Sequence, residues 1–315
     1  MRLLVLGGTG FVGRHIVAHA LERGDDVTLF NRGRTAPGLF ADARLLRGNR
    51  AADLRALRGG GPWDAAIDVT GYHPQHVAAS SRLLAERAAH LTFISTISVY
   101  ADVSRPGVDE DAPVVPAGEG ATYGALKARC EEEALMWFGS ERALIVRPEI
   151  VAGPHDPTNR FSAWVVHAAG GGRLVAPGEA VRPLQLIDAR DLAAFVVQLT
   201  AARASGVFNV VGDELTWGEM LAACGSGDVA WVPDERVRAA GLDDEDLPLW
   251  IAADDPQASG FMRISGARAL AAGLRHRPLE QAARDVLAAP RPQDGLDPVV
   301  VQRLAAAAGE RDPPR

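Results

Sequence analysis

Tyr123 stands four residues before Lys127 in "TYGALKARC", a spacing that places both side chains on one helix face, one turn apart. A phenol can exchange a proton with a carbinol or carbonyl oxygen if its pKa is brought towards neutrality, and a nearby ammonium favours the phenolate. Upstream, "FISTISVY" supplies three hydroxyls, Ser95, Thr96 and Ser98, where an apolar run ends. One of them would fix a substrate oxygen beside the phenol, although such hydroxyls more often cap turns or bond their own backbone. If the run is a strand, its alternation turns Thr96 and Ser98 to the same face.

A second pattern speaks of phosphate. "GGTGFVGRH" follows the apolar run "RLLVL" and places Gly7, Gly10 and Gly13 at three-residue intervals, with Phe11 and Val12 between the last two. A glycine-rich turn between strand and helix lets the backbone approach a pyrophosphate, which the helix N-terminus then holds with free amides and its positive dipole. At the end of the next apolar run an acidic residue would hold a ribose 2′-hydroxyl. That place reads "TLFNRGR", with Asn31 followed by Arg32 and Arg34. Guanidiniums there suit a 2′-phosphate, which favours NADP while leaving NAD open.

These groups need a scaffold that brings distant segments together. "DVTLF", "ARLLRG", "DAAIDV", "HLTFIS" and "RALIVRP" are short apolar runs like "RLLVL", separated mostly by segments long enough for a crossover. Helices are expected over Phe11 to Arg23, Gln75 to Ala89 and Ala121 to Phe138. The alternation predicts a doubly wound α/β parallel sheet, with ligands beyond the carboxyl ends of its strands. Around "GPHDPTNR" it stops, and a smaller C-terminal substrate-binding region is expected. The boundaries read as 1–153 for the dinucleotide-binding domain, with strands near 183–212 returning to it, 154–290 mainly for substrate, and 291–315 for a tail.

Composition narrows the partners. The 315 residues are 47% hydrophobic and 23% charged, those of an ordinary globular chain, and the net charge of −7 offers no general attraction to nucleic acid. Cys130 and Cys224 have neither the spacing nor the neighbouring histidines of a metal site and read as reduced thiols, so no metal is expected. No membrane segment is expected, the default location is cytoplasmic, and the partner is a small-molecule substrate, with a homodimer allowed.

The glycine motif, the "STISVY" strand end and the "YGALK" helix, in that order, resemble the extended or atypical short-chain dehydrogenase/reductase superfamily, in particular its NAD(P)-dependent epimerase/dehydratase branch. The resemblance runs over roughly residues 1 to 290 and implies a Rossmann fold. It implies Tyr123 as catalytic acid/base, Lys127 as the ribose-binding partner that lowers its pKa, and Thr96 as the hydroxyl, with Ser98 in reserve. It also implies that Asn49 and Arg50 hold the adenine. In dehydratases of this superfamily an acidic pair follows the strand-end Thr; here Ile97 and Ser98 stand there, so dehydration is demoted.

A reductase using NADPH leads, acting on a hydroxylated, sugar-like or nucleotide-like molecule, with a redox-neutral epimerase close behind. A non-catalytic NAD(P)-binding or RNA-associated protein is the reading of another class. Candidate substrate contacts are Tyr72, His73, His155, Asn159, Arg160 and Arg182, the last because relatives use an Arg near there on a nucleotide-sugar phosphate. Asp before a helix is a preferred N-cap, so at least one of Asp188 and Asp191 is read as structural.

Overall fold

The computed structural model describes residues 1–116, 122–289 and 294–309. β1 (Arg2–Leu6) is buried on both faces, with Leu3, Leu4 and Val5 wholly inaccessible. There follow α1 (Phe11–Glu22), β2 (Asp26–Asn31), β3 (Arg44–Arg47), α2 (Arg55–Arg58), β4 (Ala65–Asp68), α3 (Pro74–Leu84), β5 (Leu91–Ile94), a 3-10 turn at Ile97–Val99, α4 (Tyr123–Phe138) and β6 (Ala143–Pro148). The later part carries β7 (Val151–Ala152), α5 (Arg160–Ala169), β8 (Leu174–Pro177), β9 (Pro183–Gln185), β10 (Ile187–Asp188), α6 (Ala189–Ala201) and β11 (Gly206–Val210). Last come β12 (Glu214–Thr216), α7 (Trp217–Ala223), β13 (Val229–Val232), α8 (Asp234–Ala239), α9 (Ala267–Ala271), α10 (Leu279–Leu287) and α11 (Pro298–Ala308).

Seven strands make one sheet in the order β11-β6-β5-β4-β1-β2-β3. Every pairing in it is parallel, with Leu6 of β1 beside Phe30 of β2 on one side and Asp68 of β4 on the other. The order runs one way from β1 to β3 and the other from β4 to β11, so the switch point lies between β1 and β4, where a crevice opens at the strand ends. Alternate residues of β1 feed two cores. Leu3 and Val5 pack with Ile16 and Val17 of α1 and Leu192 and Val196 of α6, whereas Leu4 and Leu6 pack with Val77 and Leu84 of α3 and Ala134 of α4.

The doubly wound sheet matches the fold class expected from the runs, and most element ends fall within a residue or two. The helix expected to reach Ala89 stops at Leu84. There the Arg87 carbonyl is claimed by the Trp63 N–H at 2.7 Å, so the chain must leave the helical path to join the sheet margin. Of the strand-like segments between 183 and 212, only β11 enters the main sheet; β9 pairs antiparallel with β12, and β10 pairs with β7. Ala121, the expected start of the third helix, lies outside the described residues, as do "PRPQ" and "ERDPPR" near the end.

The C-terminal region has its own apolar core, in which Trp164 of α5 and Trp217 of α7 meet edge to face at 5.0 Å between ring centroids. Each indole N–H is used, on the Pro248 carbonyl at 2.7 Å and the Pro177 carbonyl at 3.0 Å, so burying these rings leaves no donor unpaired. Charge ties this region to the sheet. Asp188 caps α6, accepting from the Arg190 N–H at 2.8 Å, and Arg190 bridges it to Asp285 of α10. Asp191 holds Arg277 at 2.7 Å. Both aspartates are thus structural.

Candidate functional site

The glycine turn after β1 is built by close approach. Gly7 sits at φ +109°, and a Cβ there would lie 2.6 Å from Thr70 Cγ2 and 2.8 Å from Val69 Cγ2. At Gly13 a Cβ would meet the Gly8 backbone nitrogen at 2.9 Å, so this position lets α1 lie against its own loop. Gly10, the N-cap of α1, is different: nothing lies within 4 Å of where its Cβ would be, and it has no side chain to cap the first-turn amides. That is an open cradle with unsatisfied N–H groups facing it, the geometry that fits a pyrophosphate.

Asn31 braces this turn. Its Nδ2 donates to the Gly7 carbonyl at 2.9 Å, and its Oδ1 accepts from the Gly33 N–H at 2.8 Å. Its amide thus braces the turn, and the residue lines the cleft. Arg32 and Arg34 are exposed on the cleft rim.

Arg50 is tied into the floor as well. Its guanidinium forms a two-pronged pair with the Asp68 carboxylate, both contacts 2.7 Å, and donates further to Thr70 Oγ1 at 3.0 Å and Ser80 Oγ at 2.9 Å. Those bonds pin the ends of β4 and α3, and Arg50 still lines the cleft beside Asn49. Asn49 remains on the cleft, its Oδ1 accepting from the Ala51 N–H at 3.2 Å.

Thr96 and Ser98 come together by a route other than strand alternation. β5 ends at Ile94, and Thr96 caps the following 3-10 turn, its Oγ1 accepting from the Ser98 N–H and donating to Ser98 Oγ, both at 3.2 Å. Tyr123 opens α4 directly after its cap, Thr122. Gly124 allows this meeting, because a Cβ there would stand 2.0 Å from the Ser98 carbonyl oxygen. A glycine inside a helix costs about 1 kcal/mol relative to alanine, so "YGAL" held a signal of close packing that the Tyr–Lys spacing did not.

Lys127 is buried and donates to the Gly71 carbonyl at 2.8 Å and the Ile94 carbonyl at 2.6 Å, with its Nζ 4.3 Å from the centre of the Phe93 ring. Burial pulls its pKa from 10.5 to about 8, against the opposing pull of Asp68. One of its three N–H bonds remains for a ligand. The Tyr123 phenol is held above its ordinary value by partial burial and by Tyr72, opposed by a hydrogen bond with Thr96 and by the charge of Arg160. The Lys127 ammonium is directed at two carbonyls of the floor, and the charge of Arg160 acts on the phenol.

The glycine turn, Asn31, Arg32, Arg34, Asn49, Arg50, Tyr72, His73, Thr96, Ser98, Tyr123, Lys127 and Arg160 line one continuous cleft of about 950 Å³. That is at the upper end of the range of about 300–1,000 Å³ for small-molecule and cofactor sites. Three expected contacts are elsewhere. Arg182 pairs with Asp234 at 2.9 and 3.0 Å and donates to the Ile251 carbonyl inside the C-terminal region. Asn159 donates to the Asp294 carbonyl at 2.6 Å, and His155 lies against His15 with ring centroids 6.4 Å apart.

Two buried acids that the sequence reading passed over also line the cleft. Glu149, just beyond β6, accepts from the Gly212 N–H at 2.6 Å through Oε1, while Oε2 has no partner, and burial raises its pKa well above 4.5. Asp156 is held by the Thr158 N–H at 2.8 Å and the Thr158 hydroxyl at 2.7 Å, and burial raises its pKa too. Nothing in "RPEIV" or "PHDPT" separates such acids from loop charges; their burial is a product of packing. Among the described residues, no cluster of metal-ligating side chains occurs and no helix is long and apolar enough to cross a membrane.

Comparison with known proteins agrees with this architecture. The profile of the NAD dependent epimerase/dehydratase family matches residues 3–57 and 54–211. A 2-alkyl-3-oxoalkanoate reductase of Stenotrophomonas maltophilia is 31% identical over 50% of this chain and 52% of its own. The chloroplast stem-loop binding protein of 41 kDa b of Arabidopsis thaliana is 27% identical over 71% of this chain and 62% of its own. The chain thus spans between half and two thirds of the length of these relatives. The structure of a Thermus thermophilus UDP-glucose 4-epimerase complex with NAD superposes with a TM-score of 0.62 at 20% identity, covering 90% of this chain and 98% of that one, a likeness of fold. The chain belongs to the NAD dependent epimerase/dehydratase family, within the extended short-chain dehydrogenase/reductase superfamily.

Proposed function

From that membership, we propose that the chain is an NADP(H)-dependent reductase of a ketone on a small polar molecule, with Tyr123 as the proton donor. The observation that carries the reading is the single cleft that joins the glycine cradle to Thr96, Tyr123 and Lys127. The exposed guanidiniums of Arg32 and Arg34 at the end of β2 support a 2′-phosphate and hence NADP. The dinucleotide, when bound, supplies or accepts the hydride.

The residues do the rest. Amides at the start of α1 take the pyrophosphate, and the remaining N–H of Lys127 suits a ribose hydroxyl. Thr96 holds the substrate oxygen beside Tyr123, whose O–H bond breaks as its proton passes to the carbonyl oxygen while hydride adds to the carbonyl carbon. The phenolate left behind recovers a proton from solvent. Positive charge from Arg160 stabilises that phenolate in the half-buried site.

One observation points away from a nucleotide-sugar: Arg182, the group that would grip a diphosphate, is locked to Asp234. Another points away from dehydration: Ile97 and Ser98 supply no acid/base pair for loss of water. The relative from Stenotrophomonas is named as a reductase of 3-oxoalkanoates, which is consistent with reduction of a small ketone. The test follows NADPH absorbance over a panel of ketones and compares Tyr123→Phe. Loss of general acid catalysis should lower kcat about 100- to 10,000-fold with little change in NADPH affinity. Turnover that survives the substitution undiminished would sink the reading.

A further inference from the structure

The cleft also holds a cation that makes no ion pair with an acid among the described residues. Arg160 is the first residue of α5, and its Nε donates to Thr158 Oγ1 at 3.1 Å. Thr158 Oγ1 in turn donates to Asp156 Oδ1 at 2.7 Å, and the Thr158 N–H reaches the same oxygen at 2.8 Å. Asp156 is 3% exposed, and its Oδ2 is buried without a partner. A chain of hydrogen bonds anchored on a buried acid thus fixes the stem of the guanidinium. Its two terminal nitrogens make no hydrogen bond to the described residues, and Arg160 lines the cleft.

This fork is in a different place from the other cleft arginines. Arg32 and Arg34 follow β2, and Thr96 follows β5, three strand spacings away, or about 14 Å across the sheet. Arg160 and Tyr123 line the same cleft, and the phenol registers the charge of the guanidinium. An anion bound by the fork therefore shares the cleft with the oxygen that Tyr123 would protonate. A carboxylate's two coplanar oxygens match the fork.

Resting on the reductase reading above, we propose that Arg160 is the specificity-determining residue of this cleft and selects ketones that carry a carboxylate a few bonds from the carbonyl, as in a 3-oxo acid. Asp156 and Thr158 act through it, as positioning residues.

The experiment measures binding as well as turnover. The full chain saturated with NADP is titrated calorimetrically with 3-oxooctanoate, its methyl ester and UDP-glucose, for wild type, Arg160→Met and Arg160→Lys. Wild type should prefer the acid over the ester by about 10- to 100-fold, as expected for a charge-assisted pair. Arg160→Met should lose the preference, and Arg160→Lys should keep only part of it because a point charge replaces a fork. Thermal unfolding of the variants checks that they are folded. Equal binding of acid and ester by wild type, no binding of the acid, a preference for UDP-glucose, or a preference that survives Arg160→Met overturns the proposal. NADPH consumption is scored separately: acid binding that depends on Arg160, in a protein that reduces nothing, upholds the anion site and refutes the reductase reading.

Discussion

The floor of the cleft and its outer wall use charge in opposite ways. On the floor three strong polar groups are tied into the protein: Arg50 to Asp68, the Lys127 ammonium to two carbonyls with one N–H left over, and the Asn31 amide to the glycine turn. On the wall and rim, Arg160, Arg32 and Arg34 line the cleft, and the terminal nitrogens of Arg160 make no hydrogen bond to the described residues. A group already paired holds a shape but has little left to give a ligand, whereas an unpaired one gains its partner only on binding. On the proposed reading, shape resides in the floor and selectivity in the wall.

That contrast can be broken most decisively at Asp68. Asp68→Ala leaves the Arg50 guanidinium in a site 12% exposed at the side chain, with no counter-charge, and should cost about 3–5 kcal/mol of stability, read by urea unfolding. A loss below about 1 kcal/mol, the scale of an exposed pair, would show that the floor is not held this way. On the rim the same kind of deletion should do the reverse. Arg32→Ala with Arg34→Ala should leave stability within about 0.5 kcal/mol, as surface changes do. The NADPH Kd should nevertheless rise about tenfold while that for NADH stays put. An equal change for both cofactors would remove the 2′-phosphate argument.

The smallest effect tests the buried acid between the two regions. The pKa of Glu149 is raised in the folded protein, so the native state holds a proton that the unfolded chain releases above 4.5. Its contribution is fully present below that pH and is lost as pH climbs from there through the folded value. Glu149→Gln keeps the shape without the proton, so the fall in Tm with rising pH above 4.5 should be shallower in the variant. Parallel pH profiles would show that Glu149 titrates normally.

How far the sequence could be read follows the same division. The floor is local in sequence: "RLLVLGGTGFVG" contains the strand, the turn and the helix start, and "TYGALK" contains the cap, the phenol and the ammonium. Apolar period and glycine position were enough for these. The sheet class could be read because six runs repeat one pattern. The pairings that could not be read share another cause. Arg50, Asn31 and Arg182 were read by residue type and neighbourhood, but their partners are Asp68, the Gly7 carbonyl and Asp234, some 18, 24 and 52 residues away. No pattern within a window reports a pairing at that range.

By itself, then, the sequence determined which groups could do chemistry, a phenol, an ammonium, hydroxyls and a phosphate turn, and the strand–helix alternation that puts them at one sheet end. Tertiary structure decided which charges remain available. Arg50 and Arg182 are as cationic as Arg160 in sequence, and only folding brings a carboxylate to the forks of the first two while holding the third by its stem alone. The physical reason is that charge is a property of the residue, whereas neutralisation belongs to whatever the fold places within about 4 Å of it.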